Sequence, residues 1–241
     1  MKGRFSEELK WWLKGLRQLF FTRDCAVCGK ELEAGEAFVC PDCLGDIPLT
    51  RFWSYSENAA MERLGSLCHV YNVASLFFYR HGGGYTNIVT SFKYGRRELL
   101  GLWAARLLGD YMAAGGLYHD VQAVVPVPLH WRKRWRRGFN QAEVIARGVA
   151  EPLGRIPVAA RLLRRRRYTS TQTRKSSSER HSNVSGAFAV RPKEAEKLRA
   201  AGVRHILIVD DVLTTGSTLA ECIRLLEPWF TVSAATLGFV E

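Results

Sequence analysis

The run H-I-L-I-V-D-D-V-L-T-T-G-S-T-L at residues 205–219 decides the fold. Ile206, Leu207, Ile208 and Val209 are consecutive apolar residues rich in β-branching, which predicts a strand covered by helices on both faces. The run ends in Asp210 and Asp211, expected at the carboxyl edge of a parallel sheet, where open α/β folds place ligands. Thr214, Thr215, Ser217 and Thr218 then surround Gly216 with hydroxyls. Gly216 has no Cβ, so backbone N–H groups can approach an anion there, and a helix predicted to start near Ser217 turns its positive end to the same point.

A strand, two carboxylates and a Thr/Gly/Ser loop suit a ligand with both a diol and a phosphate, as in a ribose 5-phosphate. Carboxylates accept from the two ring hydroxyls while the loop binds the phosphate. The segment from Val209 to Thr218 resembles the motif of type I phosphoribosyltransferases that binds 5-phosphoribosyl 1-pyrophosphate (PRPP). A Walker B strand would require a G-x-x-x-x-G-K-[ST] loop, and the sequence has none. A purely structural acid pair at a strand end is the other reading.

Working outward, 241 residues suffice for one α/β domain and a small appendage. With 47% hydrophobic and 24% charged residues, the composition is that of a globular chain. No apolar run is long enough for a membrane span. Trp11, Trp12, Leu13 and Phe20 near the start are interrupted by Lys10, Lys14 and Arg17, which argues against a secretory signal. The expected location is therefore cytoplasmic, with the six cysteines reduced. A net charge of +12 implies anionic partners, and phosphorylated metabolites, nucleic acid and anionic membranes all satisfy it.

Four parts are expected. Residues 1–22 form an amphipathic helix with an aromatic and a basic face, packed on the protein in preference to a membrane surface. Residues 23–47 contain Cys25-Ala-Val-Cys28 and Cys40-Pro-Asp-Cys43, with eleven residues between the knuckles. That spacing suits tetrahedral thiolate ligation of a structural zinc, with Gly29 easing the turn. A redox dithiol would need one such pair near a βα unit. Cys68 and His69 lack evident partners for a second metal, and Cys222 reads as core. Residues 48–72 read as a linker of low periodicity, or a cover for the next domain. Residues 73–241 alternate between predicted strands (73–79, 122–127, 156–159, 206–209, 232–240) and helices (one through Ile88 and Phe92, 98–112, 140–150 and one from 217), giving a parallel sheet with helices on both faces.

Two basic segments separate the strand at Val124 from the acid pair. Pro126-Val127-Pro128-Leu129-His130 leads into Arg132, Lys133, Arg134, Arg136 and Arg137, then Gly138-Phe139-Asn140-Gln141. Arg164, Arg165, Arg166 and Arg167 read as an exposed charge run, followed by T-S-T-Q-T at 169–173 and on to Arg180, Asn183 and Phe188. With P-V-P-L-H, R-G-F-N-Q, T-x-T-Q-T, E-R-x-x-N-V-x-G-A-F and the acid-pair motif in this order behind a cysteine ribbon, the chain resembles the ComF family over nearly its whole length. The resemblance implies a zinc ribbon joined to a phosphoribosyltransferase domain and a link to natural competence. It makes Val127, Pro128, Leu129 and His130 the pyrophosphate loop and residues 168–180 a flexible hood. Many members carry a second cysteine cluster, whereas this chain keeps only Cys68 there, which implies a single ribbon.

The enzyme that the resemblance implies would stabilise charge electrostatically as the bond between C1′ and pyrophosphate breaks. Mg²⁺ would accompany PRPP, Asp210 and Asp211 would hold the ribose, and Arg137 and Arg180 would face the leaving group. No residue identifies the acceptor. The competing class is a non-catalytic protein that binds PRPP, a nucleotide or single-stranded DNA. In that case the arginines contact phosphates, Trp131, Trp135 and Tyr168 stack on bases, and competence proteins are partners.

Overall fold

The computed structural model describes residues 24–80, 82–94, 98–129, 138–166 and 186–241, with the side chains of 92–94 excepted. The helix expected at 1–22, together with His130, Arg137, Arg180 and most of both basic segments, lies outside the described residues. The chain divides between Ile47 and Pro48 into two compact units.

In the first unit Asp24 and Glu31 form an antiparallel bridge. The Cys25 N–H donates to Lys30 at 2.8 Å and the Gly29 N–H to Cys25 at 2.9 Å, closing a tight knuckle. Gly29 makes that turn at φ +76°, a region costly for other residues. The second knuckle opens a short helix, α1 (Pro41–Gly45), with Pro41 at its first position, where a missing N–H costs nothing.

The second unit is built on a four-stranded sheet in the order β1 (Val73–Phe78), β6 (Thr231–Phe239), β5 (His205–Leu213), β2 (Ala123–Pro126), parallel throughout. The apolar runs predicted for parallel strands are buried on both faces: Ile206, Leu207, Ile208 and Val209 have no exposed surface. Helices α3 (Thr86–Tyr94), α4 (Glu98–Gly115), α5 (Gln141–Ala150), α6 (Pro192–Ala200) and α7 (Ser217–Leu226) complete the unit. Helix α5 starts where Asn140 accepts the Ala142 N–H at 3.2 Å.

Three expectations are refined. Of the two readings of residues 48–72, linker and cover, the packing is that of a cover: the segment is integral to the second unit. Leu49 bridges to Phe77, the Phe78 N–H donates to Pro48 at 2.8 Å, and Phe52, Trp53, Leu64 and Val70 are buried. The segment forms one 3₁₀ turn (Phe52–Ser54) and a two-turn helix, α2 (Ala59–Gly65), started by Asn58, whose side chain accepts from Ala60 and Met61. Such short elements give single core residues and no sequence period. The strand expected at 156–159 shrinks to one parallel bridge, Val158 to Val124. In its place β3 (Leu163–Arg165) and β4 (Phe188–Val190) pair as an antiparallel ribbon. Finally, β5 continues through the acid pair to Leu213, because Asp210 and Val212 stay paired with Thr236 and Gly238 of β6.

Candidate functional site

Adjacent parallel strands must deliver their following loops to the same edge of a sheet. Pro126 of β2 is in register with Val209 of β5, and the Val127 N–H donates to the Val209 carbonyl at 3.0 Å. Val127, Pro128 and Leu129 thus leave the sheet beside Asp210 and Asp211. Asn140 fastens this loop, donating to the Val127 carbonyl at 3.1 Å while capping α5. Both acids are half-buried, and the Asp211 N–H donates to Asp210 Oδ1 at 2.9 Å.

The Thr/Gly/Ser loop continues without a break. Gly216 has φ +79° and caps α7, with Thr215 Oγ1 and Ser217 Oγ 3.1 Å apart in front of it. A Cβ on Gly216 would lie 3.0 Å from Leu64 Cδ2 and 3.2 Å from Leu67 Cδ1. Arg63 donates to the Thr214 carbonyl at 3.0 Å and to the Val240 carbonyl, with its guanidinium 4.3 Å over the Phe239 ring. Helix α2 and the residues just after it therefore buttress the loop, a role with no signal in a segment read as linker. Thr218 is half-buried on the first turn of α7.

Two more side chains converge here that sequence reasoning did not select. In β3 successive side chains alternate faces, so Arg164 is exposed whereas Arg165 turns inward and is half-buried, 5.0 Å over the Phe188 ring. The expectation of a uniformly exposed run thus fails at Arg165. Burial weakens the hold of its guanidinium on the proton, and the nearby Asp210 and Glu221 carboxylates oppose that loss. Glu221 lies four residues beyond Ser217, hence on the same face of α7. That spacing is the signal which could have found it. Its Oε1 accepts the Ala187 N–H at 2.9 Å.

In the first unit the Sγ atoms of Cys25, Cys28, Cys40 and Cys43 all lie within 4.8 Å of one another, and Cys28 and Cys40 are 3.8 Å apart. Tetrahedral zinc with thiolate bonds near 2.3 Å demands sulfur separations of about 3.8 Å, so the set fits zinc. The Cys40 N–H points at Cys25 Sγ at 3.4 Å. Burial raises the Cys25 thiol, but backbone N–H groups of Cys28, Cys40 and Val27 outweigh it and bring the pKa down to about 6. In the second unit Cys68 donates to the Leu64 carbonyl at 3.5 Å, and burial pushes its thiol up to about 11.

A cleft of about 640 Å³ opens at the amino edge of the sheet, opposite the acid pair, lined in part by Tyr71, Asp120 and His205. His205 Nε2 meets Ser233 Oγ at 2.9 Å, and its Nδ1 lies 3.0 Å from Asp120 Oδ2 outside hydrogen-bond alignment. Ser233 is fully buried and accepts the Asn72 N–H, so this Asp-His-Ser series is a core polar network whose hydroxyl reaches no substrate.

Residues 136–229 match the phosphoribosyl transferase domain family. The chain is 29% identical to competence protein F of Haemophilus influenzae over 205 residues, covering 84% of this chain and 77% of that protein. It is 36% identical to the DNA utilization protein YhgH of Salmonella typhimurium over 142 residues, 58% of this chain and 59% of that one. The Escherichia coli K12 protein of the same name is 41% identical over 106 residues, 43% of this chain and 42% of its own length. The chain thus spans less than two thirds of these YhgH proteins. The chain is thus a homologue of competence protein F in which a parallel sheet with a match to the phosphoribosyl transferase domain family follows a four-cysteine cluster.

Proposed function

We propose that the chain binds PRPP, or another ribose 5-phosphate, and transfers the phosphoribosyl group to an acceptor. One observation supports this reading: the β2–β5 register makes residues 127–129 leave the sheet beside the acid pair, which leads into the Thr/Gly/Ser loop. Asp210 and Asp211 accept from the ribose hydroxyls, while Thr214, Thr215, Gly216, Ser217 and Thr218 surround the 5′-phosphate at the start of α7. Val127, Pro128, Leu129 and His130 face the pyrophosphate, with Arg137 and Arg180 assigned to the leaving-group charge. Mg²⁺ bound with PRPP supplies charge neutralisation, and the half-buried carboxylates and hydroxyls of the site suit a hard cation carried by an oxygen-rich ligand. Zinc on the four cysteines is structural, because four thiolates leave no open coordination position. We assign the protein to the cytoplasm, where thiols stay reduced.

The test is pyrophosphate release from PRPP and Mg²⁺ across a panel of bases and amines. Turnover with one acceptor supports a transferase. PRPP binding without turnover under any acceptor rejects catalysis and leaves a binding protein, and no PRPP binding rejects the reading.

The names of the relatives favour one second reading, a protein that handles single-stranded DNA together with competence proteins. It predicts DNA affinity that falls steeply with salt. Arg137→Ala and Arg180→Ala, each removing one partner of a DNA phosphate, then lower the salt slope by about one apiece and leave PRPP binding intact.

A further inference from the structure

Glu221 divides its carboxylate between two surroundings. Oε1 takes the Ala187 N–H at 2.9 Å. The Ala187 carbonyl in turn accepts the Arg166 N–H at 2.7 Å, so Glu221 seats the base of the β3–β4 ribbon on α7. Oε2 is buried and has no hydrogen-bond donor among the described residues. A buried carboxylate oxygen left without a donor is costly, and its retention asks for a state in which a donor arrives.

Among the described residues, Arg165 is a cation on which the Glu221 charge acts. The guanidinium lies over Phe188, the residue after Ala187, and both Asp210 and Glu221 act on its charge. A guanidinium presents five donors in a rigid fork and can serve either carboxylate. A ribose diol donating to Asp210 needs acceptor positions for which a neighbouring guanidinium competes.

We propose that Glu221 is a positioning residue that takes over Arg165 when a ribose diol engages Asp210, with the ribbon base held at Ala187 throughout. The inference rests on the ribose-phosphate reading of the acid pair. In the alternative, Glu221 is a plain clamp on Ala187.

Calorimetry with ribose 5-phosphate and Mg²⁺ on the full chain, across a cycle of Glu221→Gln and Arg165→Met, separates the two. The glutamine oxygen still accepts from Ala187, but its NH₂ cannot accept from Arg165. We therefore expect Glu221→Gln to weaken binding about tenfold in the wild-type background and less than about twofold beside Arg165→Met. Amide exchange at Ala187 stays unchanged in Glu221→Gln and speeds up in Glu221→Ala. Arg165→Lys, which keeps a charge and a long stem if the methionine variant folds poorly, retains part of the coupling. An equal loss in both backgrounds, or no loss in either, overturns the transfer of Arg165 while wild-type binding upholds the ribose-phosphate reading. A wild-type protein that binds neither ribose 5-phosphate nor PRPP rejects that reading and this inference with it.

Discussion

The Val127 amide and the Val209 carbonyl, 3.0 Å apart, form the rung between β2 and β5 at which β2 ends, while β5 runs on through the acid pair. Both proline-flanked Val127 and the acid pair are positioned from this rung. Backbone bonds hold it, so the site is set by sheet register and does not depend on flexible side chains finding one another.

If Asp211 accepts from a ribose hydroxyl, Asp211→Asn removes a charge-assisted acceptor. Affinity for PRPP with Mg²⁺ should drop by about 1.5–3 kcal/mol. Titration calorimetry reads this directly, and the double variant Asp210→Asn/Asp211→Asn with unchanged affinity would remove the acid pair from the site.

Leu64 is fully buried against the Thr/Gly/Ser loop, in a segment that reads as linker. Leu64→Ala should cost about 2–5 kcal/mol of unfolding free energy by urea titration, as core truncations do. A change of surface size would restore the linker reading.

Gly216→Ala meets both a positive φ and a close Leu64 methyl, whereas Gly186→Ala at φ +72° has nothing within 4 Å of the new Cβ. The left-handed conformation alone costs about 1–2 kcal/mol, so both variants lose stability and Gly216→Ala should lose more. Equal denaturation midpoints would show that Leu64 yields to the new methyl.

Elemental analysis of protein prepared without chelator should find about one zinc per chain, as four thiolates complete one tetrahedral site. Cys40→Ser should lose the metal or bind it weakly. Metal-free protein with these cysteines in disulfides would reject the site.

Cys68 has its thiol pushed up to about 11 by burial and by the nearby Glu227 charge, and burial drives Cys222 well above the usual range. The thiolate is the reactive form, so at pH 8 both should resist iodoacetamide in the folded protein and react after denaturation. Mass spectrometry of peptides checks this. Because both folded-state pKa values are raised, stability should fall as pH rises above about 9, where the unfolded chain ionises these thiols first, and the loss due to Cys68 should level off near pH 11.

The sequence alone determined the parallel sheet, the positions of its main strands along the chain, the cysteine knuckles and the identity of the acid pair with its Thr/Gly/Ser loop. These are local signals: an unbroken apolar run, a two-residue gap between cysteines and a glycine among hydroxyls each state their geometry within a few residues. The tertiary structure alone decided which distant residues meet. Helix α2 is too short to show a helical period, so burial of Leu64 and the Arg63 hydrogen bond to Thr214 become visible only when 48–72 folds onto the sheet. Arg165 reads as one cation among four until strand pairing with Phe188 turns it inward and leaves Arg164 outside. Glu221 looks like an ordinary helix carboxylate, and only the return of the chain at Ala187 gives one of its oxygens a partner while the other stays buried without a donor among the described residues. Meetings between residues far apart in the chain depend on register and on which face of a strand is covered, and neither is written in the spacing of any single segment.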